Sequence, residues 1–490
     1  MTPEPAVTAR GDRVRALAAA AAALAVFLLM AQNIVHGFDV FDYLKKIDGG
    51  DWRHSRMVLY LPLAIAWCRA FEWLGVDAYA ALRALSSVGA AVGVGYAWLA
   101  ARRLGLCRHR ATLVAAGCVA VPSALYTASV AEVDALLFGL ACAAWLPFAR
   151  LVTGGGARAA ALTGLVTGAS AGFHAAGHLL AGALTALNLG WGWPGRGPRR
   201  TLPLSGVLAA THLLVSIGVA LLGGATQQGE MVTNTVHHAF HADFVGHVLW
   251  HEWLLPYLPF ALLWLVALRS RADRGAALAF AACLLGYLYL TTLILGYQRS
   301  AKDFLAQGNI VERGTFLLGL VPPMLLLALR TTPRALGWTA VAAGLLSGGV
   351  QIRLRDWPAD PPGYGAGCAE LQRRQAMTLF LADVHEQAWI ARRAPGIPVR
   401  LLGEPLLQAR LVREQLGADL DPAFYVLWFD LEYDMARAGG RDYVITGRAL
   451  HAMEQCADPG FVAAVPLLRQ RYEFEPLHAD SFDGWRLRRR

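Results

Sequence analysis

VRALAAAAAALAVFLLMAQNIVHGFDVFDYLKKIDGGDWRH, residues 14–54, decides how the chain is read. Its first part, 14–36, is an apolar run long enough to cross a hydrocarbon core of about 30 Å. It is too long for the apolar core of a signal peptide and lacks a small-x-small cleavage site, so it reads as a retained anchor. The chain then turns abruptly polar: Asp39, Asp42, Asp48 and Asp51 stand with Lys45, Lys46 and Arg53 between His36 and His54. An anchor that delivers a crowded acidic loop to one face of a membrane predicts chemistry at that face.

Further apolar runs of span length fall near 79–101, 111–128, 132–150, 158–174, 176–192, 203–223, 253–269, 275–296, 314–330 and 335–350, about eleven spans with the first. The composition agrees. Of 490 residues 56% are hydrophobic and 16% charged, against about 25% charged in soluble proteins. A disordered chain, a secreted disulfide scaffold and a cytosolic enzyme are excluded. The net charge of +9 does not indicate a nucleic-acid partner, because no window interleaves basic and aromatic residues. None of the seven cysteines sits in a CxxC pair, so no zinc or thioredoxin-like motif is expected.

Segment 57–75 is apolar but contains Pro62, Arg69 and Glu72. Read as an interfacial or re-entrant helix, it leaves Arg102, Arg103, Arg108 and Arg110 on the inner face with Arg150, Arg158, Arg196 and Arg330. The positive-inside rule favours that reading. It puts most of the membrane domain's acids outside, the N-terminus in the cytoplasm and the C-terminal domain outside a bacterial inner or plasma membrane. The fold class expected is an α-helical polytopic membrane protein with a small C-terminal α/β domain. Domains are expected at 1–350 and 351–490, divided by a Pro- and Gly-rich linker. In the second, helices are expected over 369–393 and 404–416, and strands at Val399–Leu402, Phe424–Phe429, Tyr443–Thr446 and Trp485–Leu487. An outside location leaves a disulfide between Cys368 and Cys456 open.

A carboxylate directly after a span is partly desolvated, which raises its proton affinity and suits a general base. Asp39 holds that position. The order of a first span, an acidic loop, Gly50-Asp51-Trp52, the basic His54 and then Leu59-Tyr60 resembles the GT-C glycosyltransferases that use polyprenyl-phosphate sugars. The protein O-mannosyltransferase and lipid A aminoarabinose transferase groups are the most similar. The resemblance covers the architecture of 14–350. It implies that Asp39 is the catalytic base, with Tyr43 four residues on. Val40 stands where the family has a second acid, so Asp42 competes for the role, and Ser55-Arg56 replaces a diproline. Asp51, Tyr60, Glu132, Asp134, His174 and His178 match positions the family uses around its substrates. Glu312-Arg313 resembles a late family arginine.

Two polar clusters remain. Arg299, Lys302 and Arg313 would suit a departing phosphate, since a guanidinium fork matches phosphate oxygens; plain headgroup contact is the alternative. His237/His241 and His247/His251 are i,i+4 pairs with Asp243 and Glu252 nearby, a spacing open to a divalent metal. No fixed motif accompanies them, and interfacial histidines account for them more plainly. The GT-C relatives with lipid-phosphate sugars need no catalytic metal, so no cofactor is expected. The partners implied are a polyprenyl-phosphate-linked sugar, a lipid, glycan or protein acceptor, and membrane lipids. A proton-coupled transporter and a non-catalytic envelope assembly protein are the rival functions. An odd span count, no internal repeat and no mid-span charges weigh against the transporter.

Overall fold

The structure is a computed structural model. It describes the chain except residues 1–8, 32–37, 51, 53–56, 175, 224–253, 255–256, 271–272, 286–317, 355–362, 384–385, 388–389, 391–392, 395, 417–420 and 457. Contacts divide it into two compact units at residues 355/356.

The first unit is helical. It comprises α1 (Ala9–Leu29), α2 (Phe38–Gly49), α3 (Tyr60–Glu72), α4 (Ala78–Arg103), α5 (Arg108–Ala120), α6 (Pro122–Ser129), α7 (Val133–Val152), α8 (Ala157–Ala171), α9 (Gly177–Arg196) and α10 (Pro198–Gly223). Further helices run over Arg274–Leu285, Val321–Thr331 and Arg334–Leu354. Among the described residues α4, α7 and α10 are long and apolar enough to cross a membrane; α5 and α6 add a fourth span if their 63° bend is a break within one. Pro122 opens α6 at that bend, where its missing N–H costs nothing. The expected runs 253–269 and 275–296 extend beyond the described residues. At 13 residues, α3 rises only about 20 Å, less than a hydrocarbon core.

Helices in a membrane gain little from burying apolar surface against one another and associate through close packing of small residues. α4 and α7 do this at Gly89, Gly93 and Gly139. A methyl group on Gly139 would stand 2.3 Å from the Gly89 carbonyl oxygen, and one on Gly93 would stand 2.6 Å from the Gly139 Cα. α8 meets α10 in the same way. A methyl on Gly164 would lie 2.5 Å from the Leu208 carbonyl oxygen, and one on Gly168 would lie 2.9 Å from that of His212. Asp77 caps α4, accepting from the Ala80 amide at 3.0 Å. Several basic side chains tie helix ends together: Arg102 to Asp12 at 3.4 Å, Arg330 to Asp273 at 2.9 Å, Arg110 to the Thr332 carbonyl at 2.9 Å and Arg196 to the Leu151 carbonyl at 2.7 Å.

The second unit holds a five-stranded sheet of order β2-β1-β3-β5-β4, with β1 Met377–Leu381, β2 Val399–Leu401, β3 Asp442–Thr446, β4 Tyr472–Ala479 and β5 Phe482–Arg489. β1 pairs in parallel with β2 and β3, while β5 is antiparallel to β3 and β4. Two expectations are corrected. Met377–Leu381, expected as helix, is a central strand buried at all five positions; an apolar run without alternation suits a strand covered on both faces. Phe424–Phe429, expected as strand, lies in a helix over Pro422–Ala438. Asp421 caps that helix through the Ala423 amide, Pro422 opens it, and Tyr425, Trp428, Phe429, Glu432 and Ala436 are buried along one face.

Cys368 and Cys456 are both unbonded. Strand alternation explains why. Leu379 and Val444 face the cluster that contains Cys368, whereas Phe380 and Ile445 face the one against which Cys456 packs. Burial, aided by the charge of Glu386, pushes the Cys368 thiol up to about 12.

Two expectations follow from this packing. Gly139→Ala should destabilise the membrane unit by about 1–3 kcal/mol through backbone overpacking. Gly206→Ala, where an added methyl meets nothing within 4 Å, should be neutral or stabilising; thermal unfolding in detergent compares the two. In the second unit Asp430 is partly buried, which alone would raise its pKa. Hydrogen bonds from Arg471 and Tyr472 and the charges of Arg471 and Arg489 outweigh this and hold it below the usual carboxylate range. Its contribution is therefore present above the ordinary Asp value of about 3.9 and lost as pH falls through the depressed value. Amide exchange of Pro422–Ala438 should be faster in Asp430→Asn than in wild type at pH 7, with the difference closing in acid.

Candidate functional site

Five of the expected site residues meet where α2, α3, α7 and α8 come together. The Tyr43 hydroxyl donates to the Met57 sulfur at 3.0 Å, and its ring meets that of Tyr60 edge-on at 4.9 Å. Tyr60 is fully buried at the start of α3. The charges of Glu132 and Asp134 act on its hydroxyl. The amide of Leu59 donates to the Gly172 carbonyl at 2.9 Å, which docks the start of α3 on the end of α8.

Glu132 precedes α7 and Asp134 lies in its first turn, where the helix dipole favours negative charge. α4 fixes this end: the Ser86 hydroxyl donates to the Glu132 carbonyl at 2.9 Å, and the Glu132 amide lies 3.0 Å from the same hydroxyl oxygen. His174 follows α8, with its Nδ1 4.0 Å from Asp134. That nitrogen also accepts the Ala176 amide at 3.2 Å. A nitrogen that accepts a hydrogen bond carries a lone pair, so the ring proton sits on Nε2 and the contact with Asp134 is not a hydrogen bond through Nδ1.

His178 belongs to a different group. Its Nδ1 lies 2.9 Å from Nε2 of His212, whose Nδ1 lies 3.2 Å from the Thr167 hydroxyl. Thr167 donates to the Gly164 carbonyl at 3.1 Å. The donor order is then fixed by partners: His212 Nδ1–H donates to Thr167, His178 Nδ1–H donates to His212, and His178 keeps a lone pair on Nε2. His174 and His178, an i,i+4 pair by number, thus have separate partners. His212 and Thr167 were not expected from sequence. The signal available was a histidine in the middle of the apolar run 203–223, since an intramembrane ionisable group is a functional candidate by default.

Asp39 lies in the first turn of α2, one turn before Tyr43; the side chains of Asp39 and Asp42 lie outside the described residues. So do Asp51, His54, Arg299, Lys302, Arg313, His237, His241, His247 and His251. Among the described residues no group of three or more His, Cys, Asp or Glu could hold a metal ion.

No family model matches the sequence, and no curated protein matches it. Solved structures do share its fold. ArnT from Cupriavidus metallidurans bound to undecaprenyl phosphate matches with TM-score 0.57 and 13% identity over 98% of both chains. The Archaeoglobus fulgidus oligosaccharyltransferase in complex with Zn and sulfate matches with TM-score 0.53 and 11% identity, over 96% of this chain and 72% of that one. The arabinofuranosyltransferase AftD from Mycobacteria matches with TM-score 0.53 and 15% identity, over 97% of this chain and 40% of that one. The chain shares the membrane fold of these structures, the kind of fold that the sequence resemblance implied.

The histidine pair carries its own expectation. The Thr167 backbone accepts from His212 as well as the hydroxyl, so in Thr167→Val, as in wild type, both rings should carry the proton on Nδ1. Imidazole ¹⁵N shifts that place the proton of either ring on Nε2 would contradict the assigned donor order.

Proposed function

We propose that the chain is an integral membrane glycosyltransferase that moves a sugar from a polyprenyl-phosphate donor to an acceptor at the outer face. The observation that carries this reading is fold agreement over 98% of both chains with ArnT bound to undecaprenyl phosphate. The acidic loop after the first span supports the same reading.

Asp39 takes the proton of an acceptor hydroxyl. The freed oxygen attacks the anomeric carbon as the bond from that carbon to the phosphate oxygen breaks. The polyprenyl phosphate leaves with the electron pair, and the configuration inverts. Arg299, Lys302 and Arg313, with His54, neutralise the leaving phosphate. Tyr43, Asp51, Tyr60, Glu132, Asp134, His174 and His178 shape the substrate pocket.

Helical spacing supports Asp39 over Asp42. Position 39 shares a face of α2 with position 43, whose side chain is buried beside Tyr60, whereas position 42 is rotated by about 100° from it. The reading includes eleven spans, an interfacial α3, residues 1–350 as the catalytic domain and 351–490 as an extracytoplasmic domain. It routes no step through a metal, although the loop bearing His237, His241, His247 and His251 is where a divalent ion would bind.

Asp39→Asn should lower transfer by about 10²–10⁴-fold at unchanged abundance, the usual cost of losing a general base. The assay follows label from a polyprenyl-phosphate sugar into lipid, glycan and protein fractions of reconstituted vesicles. Near-normal transfer by Asp39→Asn beside an inactive Asp42→Asn would move the base to Asp42. Vesicles that accumulate free solute without transferring sugar would favour a transporter.

A further inference from the structure

The helices that hold Glu132, Asp134 and His174 at one end carry a second polar feature at the other. Arg103 closes α4, Arg150 lies in the last turn of α7 and Arg158 in the first turn of α8. With the turn Thr153-Gly154-Gly155-Gly156 they line a cavity of about 540 Å³. Arg102, Arg110, Arg196 and Arg330, at the same end, bond to carboxylates or carbonyls. Among the described residues Arg103, Arg150 and Arg158 make no ion pair and no side-chain hydrogen bond.

Arg103, Arg150 and Arg158 are all exposed, so water screens their mutual repulsion, and an anion seated in the cavity would meet all three. Arg103 and Arg150 at helix C-termini are favoured by the helix dipoles, but Arg158 at the start of α8 opposes its own. The turn between them is stripped to backbone. Gly154 has φ +111°, and a methyl on Gly155 would stand 2.6 Å from the Arg150 carbonyl oxygen. Gly156 precedes α8 and provides no side-chain cap. The Ala159 amide donates to the Gly156 carbonyl at 3.0 Å, which leaves the amides of Ala157 and Arg158 to another acceptor. One wall of the cavity is Leu162. With Leu165 it forms an apolar strip on α8, exposed at 36% and 46%. A charged pocket that continues into an apolar strip fits a headgroup with an acyl chain.

We propose that this cavity binds the phosphate of an anionic phospholipid, with an acyl chain along Leu162 and Leu165. The site is separate from the proposed transfer chemistry and requires only that the chain sits in a bilayer.

The test uses the full chain in nanodiscs of phosphatidylcholine with and without phosphatidylglycerol, followed by native mass spectrometry of retained lipid. Wild type should retain phosphatidylglycerol over phosphatidylcholine. The triple variant Arg103→Gln/Arg150→Gln/Arg158→Gln should lose at least about tenfold of that retention, since each cation near an anionic surface contributes about 1 kcal/mol. Arg10→Gln/Arg13→Gln, which removes two cations from α1, should not. Gly156→Asp guards against a folding defect in the triple variant. Position 156 is extended and open, so the carboxylate should cap α8, raise thermal stability and still displace the lipid. Retention unchanged in both the triple variant and Gly156→Asp would overturn the proposal. Inorganic phosphate that stabilises the protein as well as phosphatidylglycerol, and competes it away, would overturn the lipid assignment in favour of a soluble phosphate.

Discussion

Two helix backbones in direct contact, α4 against α7 at Gly89, Gly93 and Gly139, set the geometry of the membrane unit. A side chain at any of these positions would push the axes apart. Ser86 could then no longer reach both the amide and the carbonyl of Glu132. Those two hydrogen bonds hold the start of α7, and with it the carboxylates beside Tyr60. The constraint is steric, and the polar site depends on it.

The α8–α10 contact works in the same way at smaller scale. Gly164 and Gly168 bring the α10 backbone close enough for His212 to meet Thr167 and His178. A polar side chain in this setting is costly unless satisfied. Here each ring nitrogen that faces protein has a partner, and the lone pair left over is on His178 at the start of α9. Close packing thus sets the donor order that leaves this lone pair on His178.

The sequence was legible where length or charge asymmetry carries the signal. Runs of about 20 apolar residues gave α4, α7 and α10 nearly to their ends. Pro62, Arg69 and Glu72 marked the segment around α3 as unlike a span. Glu132 and Asp134 stood out in the sequence because acids at the start of an apolar run are few. His212 was not, because a single histidine inside an apolar run disturbs hydropathy little and its partners come from distant helices. The second unit shows the same limit. Periodicity alone does not separate a buried strand from a buried helix in short apolar runs, so Met377–Leu381 and Phe424–Phe429 were each assigned to the wrong class. Asp421-Pro422, a cap followed by a first-turn proline, was the local cue that could have corrected the second.

The two ends of α7 differ in how their charges are held. At its start, Glu132 and Asp134 agree with the helix dipole and lie beside tyrosines and a histidine, an environment able to orient a polar substrate. At its end, Arg150 agrees with the dipole too, so its presence alone says little. Arg158 separates function from helix electrostatics. It lies one short turn further on, at the start of a helix where positive charge is unfavourable, and no carboxylate among the described residues pairs with it. Arg102 and Arg330, at this end of the bundle, are each joined to an aspartate. Arg158 opposes its helix dipole and lines a cavity with two further cations, the place where the proposed phosphate would supply the counter-charge.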